Sequence, residues 1–388
     1  MNSEKSVVIS IPVLFVGGTE IQTLNLVRVH VNAGYDVTVC CYYEHDASMV
    51  QRFESAGAKV ILMKYERTDG LWHLAKGLIK LFKALKPNVI HIQYLAPGLV
   101  PIIASRLAGI RAIFVTVHQP GSTYGLKEKL FIRVASWLST AFFCVSRSVE
   151  VSWFGDSEVF DPEKPLRRKH FTIYNAVDTD QVAEAVRLAD QDGLRKSLSI
   201  KGKKVIGFVG RIRREKGLDV LIDAFPHIHK SQPNAVLVVV GDGPDRASLK
   251  QRAECLGVDA EIRWLGQKSI EEVRELYSIM DVVAIPSRFE GFGLVAAEAM
   301  AAGLPVVASL VDGLKEIIIN ESVGLLVPEG NSRVLARTIY ELLNAPDKAR
   351  FMGENGRKYI EGSFSFNNYR KIIVESYRHY FRKAYSIL

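Results

Sequence analysis

Thirteen short apolar runs recur along the chain with polar or amphipathic stretches between them, and this rhythm leaves few architectures open. In the first half the runs are SVVISIP, DVTVCCY, KVILM, VIHIQ, AIFVTVH, AFFCVS and FTIYNAV. In the second half they are KVIGFVG, AVLVVVG, EIRWLG, DVVAIPS, PVVAS and VGLLVP. Strands without a polar face belong to parallel sheets covered by helices on both sides. Segments 20–32 and 218–230 show the 3.6-residue period of such helices. Thirteen strands exceed what one ordinary open sheet holds, so the reading is an α/β chain of two doubly wound domains. A polar stretch around 178–202 lacks a strand run and marks the break. The expected domains are 1–178 and 179–365, with a helix over 366–388 returning to the first.

Composition narrows the partners. Fifty Lys and Arg oppose 42 Asp and Glu, a net charge of +8 with a pI near 9.1, which favours phosphorylated small molecules or a membrane surface. The charge runs are short (Arg167-Arg168-Lys169, Lys201 to Lys204), and no basic tract is interleaved with aromatics, so nucleic acid is not an expected partner. Four cysteines show neither CxxC spacing nor clustered histidines. A metal centre and a disulfide framework are therefore not expected, and a reducing cytosol is the expected compartment. The N-terminus lacks a signal-peptide layout. The charge-free stretch Ile92 to Ser105 is about 14 residues, short of the roughly 18 a membrane span needs. Membrane contact, where it occurs, is expected to be peripheral.

In open α/β sheets ligands gather where strands turn into helices, and two such domains place the expected site in a cleft between them. Three turns stand out. In FVGGTE, Gly17 and Gly18 read as closing the first strand before a helix, so their amides could approach a phosphate; a plain tight turn is the other reading. Neither this turn nor GDGPDR at 241–246 meets the GxGxxG pattern, which argues against a nicotinamide or flavin enzyme. In VGRIRREKG, Gly210 ends a strand, and Arg211 and Lys216 flank glycines where a guanidinium and an ammonium could clamp a diphosphate. Arg213 and Arg214 read as a solvated loop. In PSRFEGFGLVAAEAM, residues 286–300, a helix is expected from about Leu294, with its free amides at the site. Gly291 and Gly293 admit a ligand close to the main chain. Leu294 and Glu298, four apart, share a helix face. Glu298 could accept both hydroxyls of a ribose or be buried in an ion pair; Glu290 could serve a second set of hydroxyls. No paired carboxylates of a hydrolase and no metal-binding Asp-x-Asp occur, so cations would do the work of a metal.

These residues carry a resemblance to glycosyltransferase family 4, the retaining nucleotide-sugar transferases of the GT-B fold, in which two Rossmann-like domains face each other. The matching features are Glu290 and Glu298 with seven residues between them in EGFGLVAAEAMAAGLPVVAS, together with FVGGTE, TVHQPG, CVSRS, IYNAVD, VGRIRREKG, VVGDGP, WLG and GLLVPEGN. The resemblance implies that Glu298 holds the ribose and that Glu290 touches the transferred sugar beside the amides of Phe292 to Leu294. Arg211 and Lys216 would neutralise the diphosphate, and Gly18 would lie against it from the other domain. His118 of TVHQPG would contact the sugar near the reacting centre, although a histidine at a strand end is also commonly just a hydrogen-bonded residue. Leu265 and Val295 complete the implied nucleotide-sugar set. Two departures bear on the acceptor side: Ala176 stands where the family usually has glycine, and GGTEIQ replaces the commoner GGAER.

The expectation is a glycosyltransferase that moves sugar from a nucleoside diphosphate, uridine rather than guanosine, to a glycan or lipid-linked acceptor with retention and without cofactor or metal. A nucleotide-sugar epimerase of the same fold and a non-catalytic nucleotide-sugar-binding module are the rivals. The segment YGLKEKLFIRVASWL adds one more expectation. Lys127, Lys129 and Arg133 accompany Leu126, Leu130, Phe131, Val134 and Trp137, which would either touch the inner membrane leaflet or pack on the sheet.

Overall fold

Seven strands of the first half, β1 (Ser6–Ile11), β2 (Asp36–Cys41), β3 (Lys59–Leu62), β4 (Val89–Tyr94), β5 (Ala112–Val117), β6 (Ala141–Cys144) and β7 (His170–Thr172), form one sheet ordered β3-β2-β1-β4-β5-β6-β7. Six more, β8 (Lys204–Val209), β9 (Ala235–Val240), β10 (Ile262–Gly266), β11 (Val282–Ile285), β12 (Val306–Ser309) and β13 (Leu325–Val327), form a second sheet ordered β10-β9-β8-β11-β12-β13. Every pairing is parallel. Helices connect the strands, as right-handed crossovers require. This computed structural model describes residues 5–94, 98–164 and 168–385; Arg167, residues 95–97 of the Ile92–Ser105 stretch and residues 386–388, which the sequence reading included in its last helix, lie outside the described residues.

Two compact units result, one of Met1–Ala176 with Phe366–Leu388 and one of Val177–Ser365. Their cores follow from the strand composition. In the first, the aliphatic residues of β1, β2, β4 and β5 are almost fully buried together with Phe114, Phe143 and Phe171. The Phe366–Tyr385 helix closes this core: Tyr377 stacks on Phe114 at 4.1 Å between centroids, and Tyr380 stacks on Phe171 at 5.6 Å. In the second, Leu221, Phe225 and Ile228 pack on β8 and β9. The polar 178–202 stretch is helical, Thr179–Leu188 and Gln191–Ser197, each helix capped by an aspartate. All four cysteines are free.

In each sheet the strand order reverses once, between β1 and β4 and between β8 and β11. The chain leaves the first member of each pair in one direction and returns on the other side. In open α/β sheets, ligands gather at the carboxyl ends of strands at such a reversal.

Candidate active site

β8 and β11, adjacent at the reversal point of the second sheet, project the two loops that hold most of the candidate residues. After β8 come Gly210 and Arg211, then a turn of 3₁₀ helix, Arg214–Lys216, then Gly217 and the Leu218–Ser231 helix. After β11 comes the 286–293 loop and then the Leu294–Ala301 helix. The loops meet at close range. Gly217 has φ +68°, and a Cβ there would fall 1.9 Å from the Pro286 carbonyl oxygen, so only glycine permits the approach. Arg288 then ties them. Its guanidinium donates to both carboxylate oxygens of Asp219 (2.9 and 2.7 Å) and to the Arg214 carbonyl (2.5 Å), while its backbone N–H donates to the Glu215 carbonyl at 2.8 Å. The pairing holds the Asp219 carboxyl below its usual range despite partial burial.

Within this frame, Lys216 Nζ lies 2.6 Å from Glu290 Oε1, which also accepts from Ser287 Oγ at 3.0 Å. Sequence reasoning assigned Lys216 and Glu290 to different parts of a ligand; here they form one ion pair. The pair fixes the Glu290 carboxylate through one oxygen and leaves the other for a hydroxyl. Arg211 is exposed and has no side-chain partner among the described residues. Arg213 and Arg214 are exposed as well. The Arg211 backbone is braced from β9, since Gly210 N–H donates to Val240 and Ile212 N–H to Asp242. That bracing is the role of the GDGP turn, and nothing in its spacing announces it.

The Leu294–Ala301 helix starts from Gly293, whose φ of +98° and contact with Leu314 suit no other residue. Phe292 is buried against Phe364 and anchors the turn. Ala296, Ala297, Ala299 and Met300 are buried, whereas Leu294, Val295 and Glu298 remain half-buried along one open strip. Glu298 forms no ion pair among the described residues; the Tyr277 hydroxyl donates to its Oε2 at 3.5 Å. Burial raises its pKa, opposed by the nearby charge of Arg274, whose own guanidinium donates to Gln181 at 2.6 Å. Leu265, near the end of β10, is half-buried two strands from β8.

The first unit holds the other candidates. β1 ends at Ile11, not at the glycine pair, because Pro12 has no N–H with which to extend the ladder. Gly17 and Gly18 instead begin the Gly18–Asn32 helix, with Gly17 in extended backbone at its N-cap. His118 follows β5, and its Nε2 pairs with Gln93 Oε1 at 2.7 Å. Burial lowers its pKa to about 3, so the imidazole is neutral near pH 7. Because the Gln93 oxygen can only accept, Nε2 carries the proton and Nδ1 is left as the acceptor nitrogen. A small pocket beside it is lined by Gln22, Gln93, Thr116, Asn175 and Tyr369. Gln22 grips the Ala176 backbone twice, Nε2 to O at 2.7 Å and N–H to Oε1 at 3.0 Å. Among the described residues no three His, Cys, Asp or Glu side chains come together to hold a metal.

Known proteins are similar to this chain in sequence and fold. Residues 190–359 match the family model for glycosyl transferases group 1, and residues 16–181 match that for glycosyltransferase family 4. An uncharacterized glycosyltransferase of Methanocaldococcus jannaschii is 35% identical over 275 residues, 70% of each chain. The capsular polysaccharide biosynthesis glycosyltransferase CapM of Staphylococcus aureus is 26% identical over 82% of this chain and 84% of its own. HepE of Anabaena, solved with UDP and glucose, superposes with a TM-score of 0.80 at 21% identity, covering 95% of this chain and 98% of that one. Two parallel-sheet units with GT-B neighbours and a matching family model over each half lead to one assignment: the chain is a glycosyltransferase, a member of glycosyltransferase family 4 with the GT-B fold.

Proposed function

We propose that the enzyme moves a sugar from a nucleoside-diphosphate sugar, a UDP-sugar rather than a GDP-sugar, to a hydroxyl of a glycan or lipid-linked acceptor, with retention at the anomeric carbon. The observation that carries this is the exposed Arg211 guanidinium, without a side-chain partner among the described residues, on the same loop as Lys216 of the Lys216–Glu290 pair, at the reversal point of a parallel sheet. A diphosphate leaving group needs preorganised positive charge where its own charge develops. Arg211, Lys216 and the amides opening the Leu294–Ala301 helix supply it without a metal. Glu290, oriented by Lys216 and Ser287, offers its second oxygen to the sugar, and Glu298 offers a carboxylate to the ribose. His118, neutral at working pH, acts as a hydrogen-bond acceptor for a sugar hydroxyl. Gly17 and Gly18 open the first unit's Gly18–Asn32 helix with amides suited to a phosphate. The UDP and glucose held by HepE support the donor class, and CapM supports a role in surface polysaccharide or glycoconjugate assembly.

Calorimetry with UDP and a panel of UDP- and GDP-sugars tests the donor. Arg211→Ala should cut turnover by roughly 10²–10³, the usual loss for one preorganised donor. Full turnover in that variant removes Arg211 from the site. Anomeric NMR of the product decides retention, and an acceptor-free incubation that isomerises the sugar would favour an epimerase instead.

A further inference from the structure

The chain's positive charge is not spread over its surface. Residues 71–138 contain nine Lys and Arg and a single acid, Glu128, a net of +8 that equals the charge of the whole protein. The remaining residues carry 41 charges of each sign. This segment supplies three helices, Leu71–Leu85, Val100–Leu107 and Leu126–Leu138, which pack side by side. They connect β3 to β4, β4 to β5 and β5 to β6, all in one direction across the sheet, so right-handed crossovers put them on one face of the first unit.

Their outer surface is as unusual in apolar content as in charge. Among the described residues, eight of the ten exposed large hydrophobics of the first unit lie on these three helices, including Trp72 at 84% and Trp137 at 73% exposure. Leu126 and Leu130 stand out of the third helix, while Ile132, Ala135 and Ser136 face inward and do its packing. On the first helix Trp72, Lys76, Lys80 and Lys83 follow one another at intervals of four, four and three, hence along one stripe. None of the three lysines, nor Lys127 or Arg133, forms an ion pair among the described residues.

We propose that this three-helix face docks on an anionic lipid bilayer. Cations on flexible stems, set among exposed Leu and Trp, suit a surface that is charged outside and apolar just beneath. A nucleic-acid backbone would use the charges but gain nothing from Leu107, Leu126 or Leu130. The described residues contain no helix long and apolar enough to cross the membrane, so the contact is lateral. The inference goes beyond the donor reading and does not depend on it.

Vesicle co-sedimentation, read with tryptophan emission, tests it. The wild-type protein should bind phosphatidylcholine vesicles containing phosphatidylglycerol at low salt and should release at high salt. Binding should blue-shift the emission. Lys76→Gln with Lys80→Gln and Lys83→Gln should lower the partition roughly a hundredfold, about fivefold per charge removed. Lys230→Gln with Lys250→Gln and Lys348→Gln, equally exposed in the second unit, should change nothing. Affinity for UDP, measured in each variant, separates failure of this surface from failure of the donor site. Absence of binding at low salt overturns the proposal, as does equal loss in both triple variants. Heparin binding as tight as vesicle binding, with no emission shift on vesicles, would overturn it in favour of a soluble polyanion.

Discussion

Replacing Arg288 by alanine should disturb the donor site without removing any group assigned to the ligand. Arg288 forms four hydrogen bonds across the two site loops, two to Asp219, one to the Arg214 carbonyl and one from its own backbone. Alanine keeps only the last. Bonds to charged groups are worth about 1.5–3 kcal/mol each when well shielded. Here the side chains of Arg288 and Asp219 are 26% and 30% exposed, so solvent trims the gain. Some penalty remains for an Asp219 carboxylate left without its partner. A net destabilisation of about 2–3 kcal/mol is expected, or roughly 5–10 °C in the melting temperature of the second unit. Lys216 and Glu290 hang from the same two loops, so the spacing of their pair should loosen and UDP should bind about tenfold more weakly, near 1.4 kcal/mol. Asp219→Asn should produce a similar loss, and the double variant should be little worse than either single one, because the two residues act as a unit. The assays are differential scanning calorimetry and titration calorimetry with UDP. Wild-type UDP affinity in Arg288→Ala, or fully additive losses in the double variant, would refute the argument that the clamp sets the site.

Three further outcomes follow from the same geometry. Glu298→Ala should weaken free UDP and the full donor alike, whereas Glu290→Ala should weaken the full donor more than free UDP, because it removes a sugar contact as well as the partner that positions Lys216; calorimetry showing equal losses for UDP and donor in the Glu290 variant contradicts that division. Gly217→Ala should fold poorly or lose UDP binding, since its Cβ would meet the Pro286 oxygen at 1.9 Å and its φ of +68° costs about 1–2 kcal/mol; normal melting and affinity would mean the loops separate freely. Burial lowers His30 to about 3 and His91 well below its ordinary value, so both stay neutral in the fold and protonate only on unfolding. Their contribution is complete above the free value of 6.5 and is lost as pH falls from there, about 2 kcal/mol per histidine between pH 7 and pH 5. A urea midpoint of the first unit that does not move across that interval would contradict it.

What could be read in advance depended on the range of the interaction. Each strand lies where an apolar run stands; the central strands, buried on both faces, must write that burial into consecutive residues, and the edge strands β3 and β10, only partly buried, keep the same apolar character. Glu290 and Glu298 could be named as candidates for a related reason: one loop–helix junction carries both, eight positions apart. The Gly17–Gly18 turn misled because a single proline, Pro12, ends the ladder early and leaves the glycines to the helix rather than the strand. Contacts between distant segments were invisible. Lys216 and Glu290 are 74 positions apart, and each alone looks like a free ligand group. Arg288 sits in the most informative stretch of the chain, yet its role depends on Asp219, 69 positions away. The two departures from the family motif are the clearest instance. Gln22, just past the positions that depart from GGAER, and Ala176 of IYNAVD are 154 positions apart, and neither stretch alone points to the other. In the fold the Gln22 amide binds both the N–H and the C=O of Ala176, and Asn25 adds a third bond at 3.3 Å. The backbone at 176 is therefore held by side chains of the helix that opens at Gly18. Side chains more than a hundred residues away in sequence thus fix the main chain beside the His118 pocket.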